Sequence, residues 1–152
     1  MKKNFLIFVA LILGCGVNYA DNRPIAFTEL PKAAQSFVQQ YFPASANPAF
    51  QTPIVTKDTE WFDDAPYEVM FTTGDKVSFT SKGAWKEFEG RTVAVPDVII
   101  PANIKAWVSQ SYPGASIVKI DKDSRDIEIK LSNMIEAKFD LKGNIIELDI
   151  DD

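Results

Sequence analysis

Apolar and polar positions alternate with a period of two along much of the chain. Tyr67, Val69 and Phe71 fall on one face and Glu68 on the other, and Val77 and Phe79 flank Ser78. Ile127, Ile129 and Leu131 enclose Glu128 and Lys130, while Ile135, Ala137, Phe139 and Leu141 alternate with Glu136, Lys138 and Asp140. Such alternation buries one face and wets the other, as in an antiparallel sheet covered on one side. Shorter strands are predicted near 54–57 and 117–121. Ser81-Lys82-Gly83 and Lys142-Gly143-Asn144 read as hairpin turns, with glycine supplying a positive φ. Thr73-Gly74-Asp75 and Ser132-Asn133 mark the hairpins before them.

Two stretches switch to helical spacing. Leu30, Ala34, Phe37, Val38 and Tyr41 form one apolar stripe, and Ile100, Ile104, Trp107 and Val108 form the other. Pro31 and Pro101 stand at the starts, where a missing N–H costs little. Pro43 and Pro113 end both helices, because the residue before proline is pushed out of the helical region. Phe37, Trp107, Val69, Ile129, Phe79 and Phe139 are the expected core.

These segments correspond to one another. Leu30-Pro31, Phe37-Val38, Gln40 and Phe42-Pro43 recur seventy residues later as Ile100-Pro101, Trp107-Val108, Gln110 and Tyr112-Pro113. Tyr67, Val69, Phe71, Phe79 and Gly83 return at a spacing of sixty as Ile127, Ile129, Leu131, Phe139 and Gly143. The change of spacing puts about ten extra residues in the first copy, between roughly Ala44 and Pro66. The expected fold is therefore α+β, with two tandem repeats, each a helix packed on an antiparallel meander of about four strands. Repeat 1 spans 28–90 and repeat 2 spans 97–150, in a single domain over 21–152 with an exposed sheet face.

Residues 1–20 read as a signal peptide. Lys2 and Lys3 form a basic start, and an apolar run from Phe5 to Leu13 is too short to span a bilayer. Two endings stand open. Cleavage after Ala20 gives a soluble periplasmic chain, whereas Leu11-Ile12-Leu13-Gly14-Cys15 has the pattern of a lipobox and would anchor the chain through a lipid on Cys15. Either way Cys15, the single cysteine, leaves no disulfide, so the domain rests on its core. Removal of Lys2 and Lys3 leaves 14 Lys and Arg against 21 Asp and Glu, a net charge of −7. That balance argues against nucleic acid, and against a membrane face other than through Cys15.

Little catalytic chemistry is on offer. The chain has no histidine, which removes serine and cysteine triads and the usual zinc sites. It has no glycine-rich phosphate loop. Carboxylates such as Glu68, Glu128 and Glu136 lie on the polar faces of predicted strands, so a carboxylate hydrolase ranks last. Asp121, Asp123 and Asp126 have the start of a calcium-loop pattern. Arg125 at the fifth position and the lack of a glutamate at the twelfth favour a polar hairpin turn instead. No cofactor is expected. Trp61, Phe62, Asp63 and Asp64 sit in the extra segment, two adjacent rings framed by acids with no counterpart in the second half. Adjacent strand residues point to opposite faces, so one ring is a candidate hot spot, and the competing reading has Trp61 capping an open sheet end. Trp85 reads equally as core or exposed face.

The paired pattern Leu30-Pro31, Phe37-Val38, Phe42-Pro43, then Tyr67-Glu68-Val69, then Phe79, Gly83 and Trp85, resembles the PepSY-like, β-lactamase-inhibitor-like family of exported proteins of Gram-negative bacteria. The second half fits the same pattern, so the resemblance covers about residues 28 to 150. It departs at Met134, where the first half has Gly74, and in the long insertion. It implies a tandem arrangement of one helix and four strands, a concave sheet and a periplasmic binding role. Related PepSY domains are thought to restrain proteases, so the implied partner is an unidentified periplasmic or secreted protein. The shared motifs are structural and carry no inhibitor contacts, and fold similarity does not transfer function. The expected function is a non-catalytic binding module, with Trp61, Phe62, Asp63, Asp64 and Trp85 as partner-binding residues. The alternative is a small-ligand or calcium-responsive periplasmic protein.

Overall fold

A computed structural model describes residues 22–59 and 64–150. The predicted signal segment, Cys15, Trp61, Phe62 and Asp63 lie outside the described residues. Among the described residues nine strands follow one another in space as they do in sequence. They are β1 (Arg23–Pro24), β2 (Ile54–Lys57), β3 (Tyr67–Met70), β4 (Lys76–Phe79), β5 (Trp85–Glu89), β6 (Ile117–Lys122), β7 (Asp126–Leu131), β8 (Ile135–Asp140) and β9 (Ile145–Ile150). Every neighbouring pair is antiparallel. Two α-helices accompany the sheet, α1 (Lys32–Tyr41) ahead of β2 and α2 (Ala102–Ser111) ahead of β6. Among the described residues no helix is long and apolar enough to cross a membrane.

This architecture corrects the expected fold class. The strands do not form two meanders, each under its own helix. They form one nine-stranded sheet, and sheet dominates over helix. The join lies between β5 and β6, where Glu87, Phe88 and Glu89 pair with Asp121, Ile120 and Lys119. Phe88 and Ile120 are both fully buried there, so separating the halves would bare the middle of the core. The Gly90 N–H donates to the Val118 carbonyl at 2.7 Å, and the Val95 N–H donates to the Ile117 carbonyl at 2.9 Å, which staples the connection to the same seam. The two-residue β1, paired through Arg23 and Pro24 to Lys57 and Thr56, was not among the predicted strands.

The alternating residues become the core. Val69, Val77, Phe79, Phe88, Ile120, Ile129, Leu131 and Phe139 are buried on the helix-covered face. Ala34 and Val38 of α1, and Ile104 and Val108 of α2, close over them. Phe37 and Trp107 were expected in this core, and the structure corrects both to half-buried positions. Their neighbours on each helix take the centre. Phe37 and Trp107 lie on the flanks, edge-on to Phe79 at 5.5 Å and to Phe139 at 5.3 Å. Part of the extra segment is also structural. Phe50, on a single 3-10 turn (Pro48–Phe50), is buried against Phe42 and Phe71 at centroid distances of 5.3 and 5.0 Å.

Candidate functional site

The connection from β2 to β3 runs over residues 58–66. The Asp58 N–H donates to the Pro66 carbonyl at 2.7 Å and closes its base. Of the four proposed residues in it, only Asp64 is described. Its side chain is exposed, and its Oδ2 lies 3.3 Å from Lys86 Nζ on β5. Lys86 owes its reach to an irregularity in the ladder. Ser78 pairs with Glu87 but Phe79 pairs with Trp85, so Lys86 is the extra residue of a bulge. A bulge re-aims a side chain, and here the ammonium also comes within 3.6 Å of Asp121 Oδ1 on β6. Burial alone would lower the Lys86 pKa, but Asp121 and Asp64 together outweigh it and raise it.

Asp121 is the strained partner of this group. Burial pushes its carboxyl pKa up, and the neighbouring acids Glu87 and Glu128 add to that against Lys86 and Lys119. Its Oδ1 is buried and accepts no hydrogen bond among the described residues, since 3.6 Å is beyond hydrogen-bond length. Asp123 and Asp126 stand in the β6–β7 turn, where the Asp123 N–H donates to the Asp126 carbonyl at 2.9 Å. Asp123 Oδ1 accepts from the Ser124 N–H. The three aspartates do not converge, and among the described residues no cluster of three or more acidic side chains could hold a metal ion.

Trp85 falls on the other side of the sheet. Its register opposite the buried Phe79 turns it toward the helix side, where it is half-buried against the core. Lys122 lies over its ring at 5.9 Å from the centroid, within cation–π range. Asp64 and Trp85 therefore meet at one end of β5 but from opposite faces. Sequence reasoning missed Lys86, the residue that joins the connection to the sheet. Its local context is an ordinary polar strand position, and its partners lie far along the chain.

The open face beyond this end is a ladder of cross-strand ion pairs. Lys76 meets Glu89 at 3.4 Å, Lys119 meets Glu87 at 3.2 Å, Lys138 meets Glu128 at 3.2 Å, and Lys130 meets Glu136 at 2.8 Å. Charges on neighbouring strands are largely matched to one another, which favours the sheet register.

One antiparallel sheet, helices on a single face and a charged open face define a small α+β domain. The family described as "Putative beta-lactamase-inhibitor-like, PepSY-like" matches residues 65–147, and the chain belongs to that family. Three crystal structures are similar. A "putative periplasmic protein" of Bacteroides vulgatus is 40% identical at TM-score 0.75, over 85% of this chain and 97% of that one. A "putative calcium-regulated periplasmic protein" of Bacteroides thetaiotaomicron is 41% identical at TM-score 0.74, over 85% and 97%. A second "putative periplasmic protein of unknown function" from Bacteroides vulgatus is 26% identical at TM-score 0.72, over 84% and 98%. No protein of curated function matches the chain.

Proposed function

We propose that this protein is an exported, non-catalytic binding module that docks or restrains a protein partner in the periplasm. The docking surface is centred on the connection between β2 and β3. Trp61 and Phe62 are its apolar anchors, Asp63 and Asp64 its rim charges, and Trp85 its neighbour across β5. One observation carries this reading. Among its described residues the connection adds no strand to the sheet, and the Asp64–Lys86 pair ties Asp64 to β5. Export and a periplasmic location accord with the basic and apolar start of the chain and with the periplasmic relatives. The test is a photo-crosslinking residue in place of Phe62, with a second in place of the exposed Ser109 on α2. Protein crosslinks from position 62 and none from position 109 are expected. The reverse result would overturn the assignment.

A second reading is a calcium-responsive module. It is favoured by the description of the Bacteroides thetaiotaomicron relative and by the unsatisfied Asp121 oxygen. It predicts a melting temperature that rises with calcium in the wild type and not in Asp121→Asn. Coincident melts with calcium and with chelator would remove it.

A further inference from the structure

The two edges of the sheet are finished differently. At one edge β1 has only two residues, Arg23 and Pro24, and proline offers no N–H to an incoming strand. Short length, charge and proline are the usual means of blunting an edge. At the other edge β9 runs for six residues and pairs only with β8. It contains no proline and no lysine. Alternate N–H and C=O groups along its outer side have no partner in the ladder, and their spacing is that of a strand template.

The side chains of β9 divide by face. Ile145, Leu148 and Ile150 stand opposite Phe139, Ala137 and Ile135, which puts them on the helix side. Among the described residues no helix covers them: Ile150 is 69%, Leu148 48% and Ile145 42% exposed, and Ile146 at the bulge is 58% exposed. On the open side Glu147 and Asp149 stand beside Lys138 and Glu136. A shallow dish there is lined by Glu128, Glu136, Lys138, Glu147 and Asp149. Lys138 is shared between Glu128 at 3.2 Å and Glu147 at 3.8 Å, and Asp149 lies directly across from another acid, Glu136. This edge is acidic on one face and apolar on the other.

That division selects the occupant. In a second copy paired antiparallel about Leu148, each Glu147 would face an Asp149. Centred on either acid, that acid would face its own counterpart. Like charges directly opposite destabilise a strand pair, and the net negative charge of the whole chain adds to the penalty. Either predicted ending leaves at most eight residues ahead of β1, about 28 Å when fully extended, which is short of the eight strand spacings, about 38 Å, that separate β1 from β9. We infer that β9 is a docking edge for an extended segment of another protein, one that alternates apolar with basic residues. Its apolar residues would continue the row of Leu148 and Ile150, its lysines or arginines would meet Glu147 and Asp149, and its backbone would extend the ladder. This surface is separate from the 59–66 connection and stands without it.

Two probe peptides test the inference, acetyl-Lys-Val-Lys-Val-Lys-amide and the same peptide with glutamate for lysine. The full mature chain is titrated with each at low salt and followed by amide NMR. The lysine peptide is expected to bind about tenfold more tightly, with shifts and exchange protection confined to β9 and β8. The double variant Glu147→Lys/Asp149→Lys lies outside the core and exchanges the Lys138–Glu147 pair for a Glu136–Lys pair at position 149, so it should stay folded and reverse the preference. Equal binding of both peptides, no binding, or protection located away from β9 would overturn the inference. A concentration-dependent dimer that the double variant abolishes would also overturn it, by assigning the edge to a second copy.

Discussion

Asp75 is fully buried, and it organises the turn region at the far ends of β3 and β5. Its Oδ1 accepts the Arg91 N–H at 2.6 Å and the Thr92 N–H at 2.8 Å, and its Oδ2 accepts the hydroxyls of Thr73 and Thr92. Burial alone would push its pKa up, but these four donors win and hold the carboxyl below the ordinary aspartate range. The unfolded chain takes up the proton more readily than the folded one. Asp75 therefore stabilises the fold at neutral pH, and that contribution is lost as pH falls through its lowered value. Asp75→Ala should cost about 3 kcal/mol at pH 7 in urea melts, because the donors are left unpaired. The gap to wild type should narrow in acid, and a gap constant with pH would contradict this account. Met134 is the opposite case. It holds φ 68 in a turn and is about half exposed, so it bears left-handed strain with little packing in return. Met134→Gly should stabilise by about 0.5–1 kcal/mol, and a loss of stability would show that the side chain packs more than its exposure suggests.

The hairpin turns fix where the helices land. Gly83 (φ 85) lies under the start of α1, where an added Cβ would stand 2.8 Å from Pro31 Cβ and 3.1 Å from the Ala34 nitrogen. Gly143 (φ 85) lies under the start of α2, where a Cβ would overlap Asn103 Nδ2. Alanine at either site carries the strain of a positive φ as well as a clash. The obstacle at Gly143 is a side-chain amide, so Gly143→Ala should recover part of its loss in an Asn103→Ala background. Backbone and proline block Gly83, so Gly83→Ala should gain nothing there. Equal behaviour of the two sites in denaturant titrations would contradict this packing. These turns were legible in the sequence because a glycine between two alternating runs is a local signal. The β5–β6 pairing was not, since alternation says which face of Phe88 and Ile120 is buried but not which strand lies beside which. β9 was obscured by its own bulge, where Ile145 and Ile146 break the alternation. Asp75 was readable only as a turn residue, because Arg91 and Thr92 reach it from 16 and 17 residues away.

As a whole the molecule is one sheet whose middle seam is its core, with different surfaces at its ends. Phe88→Ala should cost about 3–5 kcal/mol and should lower a single melting transition. Two separated transitions would mean that the halves fold independently and that the seam is weak. The proposed binding role turns on residues whose chemistry was visible in sequence, two adjacent aromatics among acids. The pairing of Asp64 with Lys86 needed the three-dimensional register. The most direct measurement is capture from periplasmic extract by the wild-type chain and by Trp61→Ala/Phe62→Ala, with melting curves recorded on both proteins. Two apolar anchors of about 2 kcal/mol or more between them correspond to roughly thirtyfold in affinity. The account predicts that the double variant loses the captured protein and keeps its melting temperature. Unchanged capture by a stably folded double variant would contradict it.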